Sequence, residues 1–198
     1  MWWIELDRQA GRLRGLKTFV HPSARVAATA LLDGGIQVDE GVVICHGAYI
    51  LGPVHLQAGC LVGNNALIRG PATIGAGSRV GFAAEIKNAV IGSGVAIGPQ
   101  CYVADSVVED DAYLGAQVRT SNHRLDRQTV KVMVKGQQVD TGLEKLGCRI
   151  GARALLGVQT IVLPGREIAP GSLFEPRFTV SKNLPAGRYR VRQEVQFF

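Results

Sequence analysis

Stepping by six from Val20 lands on Val26, Leu32, Val38, Ile44, Ile50, Leu56, Val62, Ile68, Ile74, Val80 and Ile86. Twelve consecutive marks at this spacing are all Val, Ile or Leu, which average composition does not supply by chance. The fifth residue of each unit is small nearly throughout, as at Ala24, Ala48, Cys60, Ala66 and Ala84, with Ile36 the large exception. A six-residue period fits neither a helix nor an alternating half-buried strand. It predicts short strands joined by tight corners. The first residue of each unit points inward from a flat face, and the fifth is small because the prism narrows there.

After Ile86 one unit has five residues, and the pattern resumes at Ile91, Ile97 and Val103. A second five-residue step leads to Val108 and Leu114. The phase is lost over 119–149 and returns at Ile150, Leu156, Val162 and Ile168, making 21 units. Three units per triangular coil give about seven coils, and about 4.8 Å per coil gives a prism roughly 33 Å long. The expected fold is all-β: a parallel solenoid over 20–174, whose stacked coils satisfy one another's backbone groups.

The excursion at 119–149 contains VKVMV, a Gly-Gln turn and QVD, which predict a short hairpin standing off the prism. A polar loop of this length on a rigid scaffold points to function; an oligomer contact is the alternative. The ends lie outside the repeat. WWIEL within 1–19 reads as a cap strand. The tail 175–198 reads as a second cap, with Tyr189, Val191, Val195 and Phe197 alternating on one face. Arg188 and Arg190 lie on its other face, either solvated or meeting the phosphates of a cofactor.

Composition narrows the function classes. Aromatics are 6% and glycines number 25, so the core is aliphatic and the turns many. The net charge of +6 suits small anionic ligands. No dense Lys/Arg run with interleaved aromatics marks a nucleic-acid track. No run approaches the ~18 apolar residues of a membrane span. MWWIELD is too short and lacks the basic leader of a secretory signal. The four cysteines have no metal-ligand spacing and read as reduced thiols, so a cytoplasmic location is expected. Cys101 takes a fifth place and reads as core.

Arg69 and Lys87 both take the second place of their units, 18 residues apart, so they stack on adjacent coils. Two cations at such a distance repel unless an anion bridges them, and a phosphate fits, because Arg grips two oxygens while Lys adds a point charge. The competing reading is relief by Glu85, two residues from Lys87. His21, His46, His55 and His123 form no three-ligand set, so no metal is expected. His123, beside Asn122 in the excursion, stands apart from the others.

The run from IRGPATIGAG through EIKNAVIGSG and YVADSVVEDDAYLGAQVRTSN, continued by VKVMVKGQQVDTGLEKLG and GVQTIVLPGREIAPGS, resembles the acetyltransferase half of the bifunctional glucosamine-1-phosphate acetyltransferase / N-acetylglucosamine-1-phosphate uridyltransferase family. The resemblance covers roughly residues 35–185 and implies a left-handed parallel β-helix, a homotrimer, and acetyl-CoA or another acyl-CoA as co-substrate. The family's Gly-rich nucleotide-binding half has no counterpart in this sequence, which implies that UDP-sugar synthesis would need a separate nucleotidyltransferase partner. The family's sugar-phosphate contacts fall on Arg69, Lys87 and Tyr102. An asparagine near the acetyl thioester falls on Asn122, and the backbone amide facing the reacting carbonyl falls at Gly115-Ala116.

Two positions depart from that pattern. A sugar-contacting asparagine is replaced by Tyr113. The catalytic histidine falls on Pro99, in IGPQCYVAD, and proline cannot accept the amine proton. His123 is the remaining base. The functional expectation is an acyl-CoA-dependent acyltransferase on an amino-sugar phosphate or related nucleotide sugar. Its rival is a non-catalytic trimer that binds such a ligand or partners a separate nucleotidyltransferase.

Overall fold

The computed structural model describes residues 1–192 and 194. The repeat folds as the parallel solenoid it predicts, of the left-handed β-helix class that the resemblance implies, with three parallel sheets of eight, nine and eight strands. The first sheet runs from Phe19–Val20 to Glu167–Ile168, the second from Arg25–Val26 to Arg188–Tyr189, and the third from Leu31–Asp33 to Thr179–Val180. Ile44, Ile50, Leu56, Ile68, Ile74, Ile86, Leu114, Ile150 and Leu156 point inward and are fully buried. The small fifth residues Ala48, Cys60, Ala66 and Ala84 are buried beside them.

The stack has eight complete coils rather than seven. Three inward places lie outside the 21 units read from the repeat: Thr120 and Phe174, which an aliphatic-only reading passes over, and Val180 beyond them, all buried. Thr120 keeps its place because its hydroxyl accepts from the Ala104 N–H at 2.9 Å. Phe174 closes the C-terminal end. Tyr189 stacks on it at 5.0 Å and Phe178 meets it edge-on at 5.1 Å.

The N-terminal segment corrects the expected cap strand. Ile4–Leu13 is an α-helix. Leu6, Gln9 and Leu13 recur at helical spacing and are buried, and Leu, Arg, Gln and Ala are good helix formers. The helix lies along the flank of the first sheet, against Ala72–Ile74 and Val90–Ile91, instead of over the end of the stack. Gln9 Nε2 donates to the Pro71 carbonyl at 3.0 Å. At the other end the tail continues the coil rather than capping it at once: Thr179–Val180 pairs with Ile161–Val162 and Arg188–Tyr189 with Leu173–Phe174; Val195 and Phe197 lie outside the described residues.

The excursion leaves after Arg119–Thr120 and rejoins at Arg149–Ile150. It holds the expected hairpin, Lys131–Val134 against Gln137–Asp140. Val130, Val132 and Leu146 pack with Trp3, Leu6 and Val107 in a second apolar cluster, separate from the prism core. Helix and hairpin therefore cover one stretch of the first sheet together.

Every irregularity of the repeat falls at one corner. The steps Ile86 to Ile91, Val103 to Val108 and Thr120 to Ile150 all pass from the third sheet to the first. Losing one residue there tightens the turn, and Asn88 and Asp105 take it with φ of 43° and 48°. Asn and Asp tolerate this left-handed region better than other side-chain-bearing residues.

Candidate functional site

The third sheet places Lys87 directly beside Arg69 on adjacent rungs, with Ala104 on the next. Tyr102 starts the strand that ends at Ala104 and lies opposite Glu85. Arg69, Lys87, Tyr102, Asn122, His123 and Lys145 line one open hollow of about 450 Å³. Five of these six were singled out from sequence. Lys145 was missed because nothing in an aperiodic loop shows that its return limb passes the outgoing one. Here the Leu146 N–H donates to the Asn122 carbonyl at 2.9 Å, and His123 bridges to Lys145.

The stacked cations do not face solvent alone. Arg69 is gripped by Glu85, with Nε 3.0 Å from Oε1 and a second bond through the same guanidinium. Lys87 Nζ lies 3.2 Å from Asp105 Oδ2. Glu85 thus relieves Arg69, not the Lys87 of its own strand, because Lys87 reaches Asp105 across the corner. Three cations still meet two carboxylates, since Lys145 has no carboxylate partner among the described residues. The hollow keeps net positive charge before His123 is counted.

Asp105 is the hub of the arrangement and is 3% exposed. Besides Lys87, its carboxylate accepts from Asn88 Nδ2 at 2.7 Å and from Asn122 Nδ2. Its backbone carbonyl accepts from the Gly147 N–H at 2.8 Å. These donors satisfy the buried carboxylate, and it ties both roots of the excursion to the coil. Burial pushes the Tyr102 hydroxyl above its usual pKa, with Glu85 and Asp105 adding to the effect and Arg69 opposing it.

Gly147 permits this closure. A Cβ there would lie 2.1 Å from Ser106 Oγ and 2.2 Å from the Ala104 carbonyl oxygen. The buried Ser106 hydroxyl donates to the Ala104 carbonyl at 2.6 Å and accepts from the Cys148 N–H at 3.0 Å.

The other sequence-derived residues lie elsewhere. Pro99 and Ala116 stand on neighbouring coils of the corner between the second and third sheets, where the Gln117 N–H donates to the Pro99 carbonyl at 2.9 Å. Neither lines the hollow. Tyr113 is half-exposed on the second sheet. Arg188 is paired with Glu175 at 2.9 Å near the C-terminal end, and Arg190 is exposed there; neither joins the cluster. Cys101 is core, its thiol donating to the Gly115 carbonyl. Among the described residues, no group of His, Cys, Asp and Glu could hold a metal ion, and no helix is long and apolar enough to cross a membrane.

No family model matches the chain. It is 53% identical over 176 residues to "Uncharacterized acetyltransferase YaiX" of Escherichia coli O6:K15:H31, covering 87% of this chain and 76% of that protein. It is 32% identical over 187 residues to the "Bifunctional sugar-1-phosphate nucleotidylyltransferase/acetyltransferase" of Sulfurisphaera tokodaii, covering 94% of this chain but 46% of that protein. Among solved structures, the UDP-N-acetylglucosamine acyltransferase from Campylobacter jejuni aligns with a TM-score of 0.49 and 17% identity, over 84% of this chain and 68% of that one.

Proposed function

The chain belongs to the acetyltransferase family of its YaiX relative, and on that premise we propose that it moves an acyl group from coenzyme A to the amine of an amino-sugar phosphate or nucleotide sugar. The observation that carries this reading is the register of Arg69 beside Lys87, in one hollow with Tyr102, Asn122, His123 and Lys145. The bifunctional relative named for sugar 1-phosphates supports the acceptor class.

In this reading the phosphate sits against Arg69, Lys87 and Lys145, which fixes the sugar and brings its amine near His123. His123 takes the amine proton as the C–N bond forms. The thioester C–S bond breaks, and the thiol of coenzyme A leaves with a proton. Acyl-CoA supplies the activated acyl group. Asn122, held by Asp105, contacts the acyl end. The Ala116 N–H has no backbone acceptor among the described residues and would face the carbonyl oxygen as it gains charge. Ala116 lies off the hollow, on the other corner of the third sheet, so a homotrimer that sets a neighbour's corner beside it completes the site. Arg188 is already paired, so Arg190 carries the assignment to donor phosphates.

One observation favours the non-catalytic rival. His123 is exposed, and among the described residues no side chain hydrogen-bonds its imidazole. A base held so loosely fits a scaffold kept for binding, with or without a separate nucleotidyltransferase as partner. Acetyl transfer to glucosamine 1-phosphate separates the two. On the catalytic reading His123→Ala lowers kcat by about 10²–10⁴-fold with ligand affinity kept. Activity untouched by that change removes His123 as the base. Sugar phosphate bound by a protein that binds no acetyl-CoA removes the transferase reading.

A further inference from the structure

His123 also lines a second hollow, of about 520 Å³, on the far side of the excursion root. Arg124 and Arg166 face it, with Ser121 and Ser181 beside them and Leu163 forming an apolar wall. Ser121, Leu163 and Ser181 come from successive coils, so the floor is rigid: the Ser121 N–H donates to the Val162 carbonyl, and the Leu163 N–H to the Val180 carbonyl.

The two guanidiniums differ in how they are satisfied. Arg124 is held by Asp126, which also lines the hollow. Arg166 is half-buried, and among the described residues it has no carboxylate partner. Its Nε donates to the Pro164 carbonyl at 3.2 Å, which leaves most of its donors for something else. Burial and the nearby Arg124 charge both press the Arg166 pKa downward. A partly desolvated guanidinium beside a second one is unfavourable in an empty protein and favourable around an anion.

We propose that this hollow is a second phosphate site, centred on Arg166 with Arg124, that the ligand enters past His123 from the Arg69–Lys87 hollow. The inference rests on the acyl-transfer reading, and it extends the ligand beyond a sugar monophosphate. Two sources share the required chemistry, a phosphate ester: the diphosphate of a nucleotide-linked amino sugar, and the phosphates of the acyl donor.

Calorimetric titration of UDP-glucosamine, glucosamine 1-phosphate and coenzyme A into the full chain tests it. Arg166→Gln and Arg124→Gln should each weaken UDP-glucosamine or coenzyme A by about tenfold or more, as loss of a charged hydrogen-bond donor does. Glucosamine 1-phosphate should hold within about twofold. The ligand that weakens identifies the source. Arg166→Lys should recover part of the loss, and Arg124→Gln, in an exposed loop, carries the test if Arg166→Gln fails to fold. All three affinities unchanged, or glucosamine 1-phosphate weakened equally, overturns the second site. Lys87→Ala separates this from the first reading: if it weakens glucosamine 1-phosphate while Arg166→Gln changes nothing, only the second site falls.

Discussion

Asp105 concentrates more of the site than any other side chain, because one buried carboxylate restrains Lys87, Asn88 and Asn122 at once. Asp105→Ala leaves those donors partly desolvated, so a loss of about 1–3 kcal/mol is expected, read as a lowered Tm. Sugar-phosphate affinity should fall with it, since Lys87 and Asn122 lose their common anchor. A variant that melts like the wild type would show that the donors find other partners and that Asp105 positions nothing. Lys87→Ala removes a cation from the hollow and should weaken glucosamine 1-phosphate about tenfold or more; unchanged affinity would place the phosphate elsewhere. The thiols make a separate check. Burial pushes Cys60 and Cys148 up to about 12 and raises Cys101. A thiol reagent should therefore label Cys45 alone in the native protein, and rapid labelling of a second cysteine would contradict the inward placement of the fifth positions.

At the scale of elements, the corner between the third and first sheets shows how much of the site could be read in the chain. Two five-residue units and the long excursion are visible as breaks in a period, and the fold brings all three to one edge, beside Lys87 and Asn122. The inward core and the Arg69–Lys87 stacking were legible because a six-residue period fixes both register and face. The N-terminal helix was not, since WWIEL is an apolar stretch too short to separate strand from helix. Its burial depends on Val130, Val132 and Leu146, far away in sequence. Lys145 was hidden for the same reason: its position follows from a chain closure that carries no periodic mark. Gly147 is the hinge of that closure. Gly147→Ala should cost about 1–3 kcal/mol or more by overpacking and should loosen the excursion in hydrogen exchange, at Leu146 and Cys148 first. Protection equal to the wild type would mean that the return limb does not pass over Ala104–Ser106.

At the scale of the whole molecule, the prism is left apolar where the proposed site would need a second wall. Phe82, Tyr113, Leu155, Val158 and Ile161 are all more than a third exposed, and they gather on the second and third sheets and the corner between them, around Pro99 and Ala116. Isolated exposed apolar residues need no explanation, but a contiguous patch beside a half-built site does. A rigid three-sided solenoid suits closed cyclic association, in which each copy presents the same patch. The copy's Ala116 corner would then face a neighbour's hollow. Analytical ultracentrifugation should find three copies of the 21.1 kDa chain in one particle. Val158→Asp puts a charge into the shared contact and should shift the particle toward monomer, with each monomer's helical-coil melting largely kept because Val158 is outside the core. Catalysis should fail in that monomer while glucosamine 1-phosphate still binds, because the cations all come from one chain and the Ala116 amide does not. A wild-type protein that sediments as a monomer and still transfers acetyl groups would overturn the shared site and require the donor to bind within a single prism.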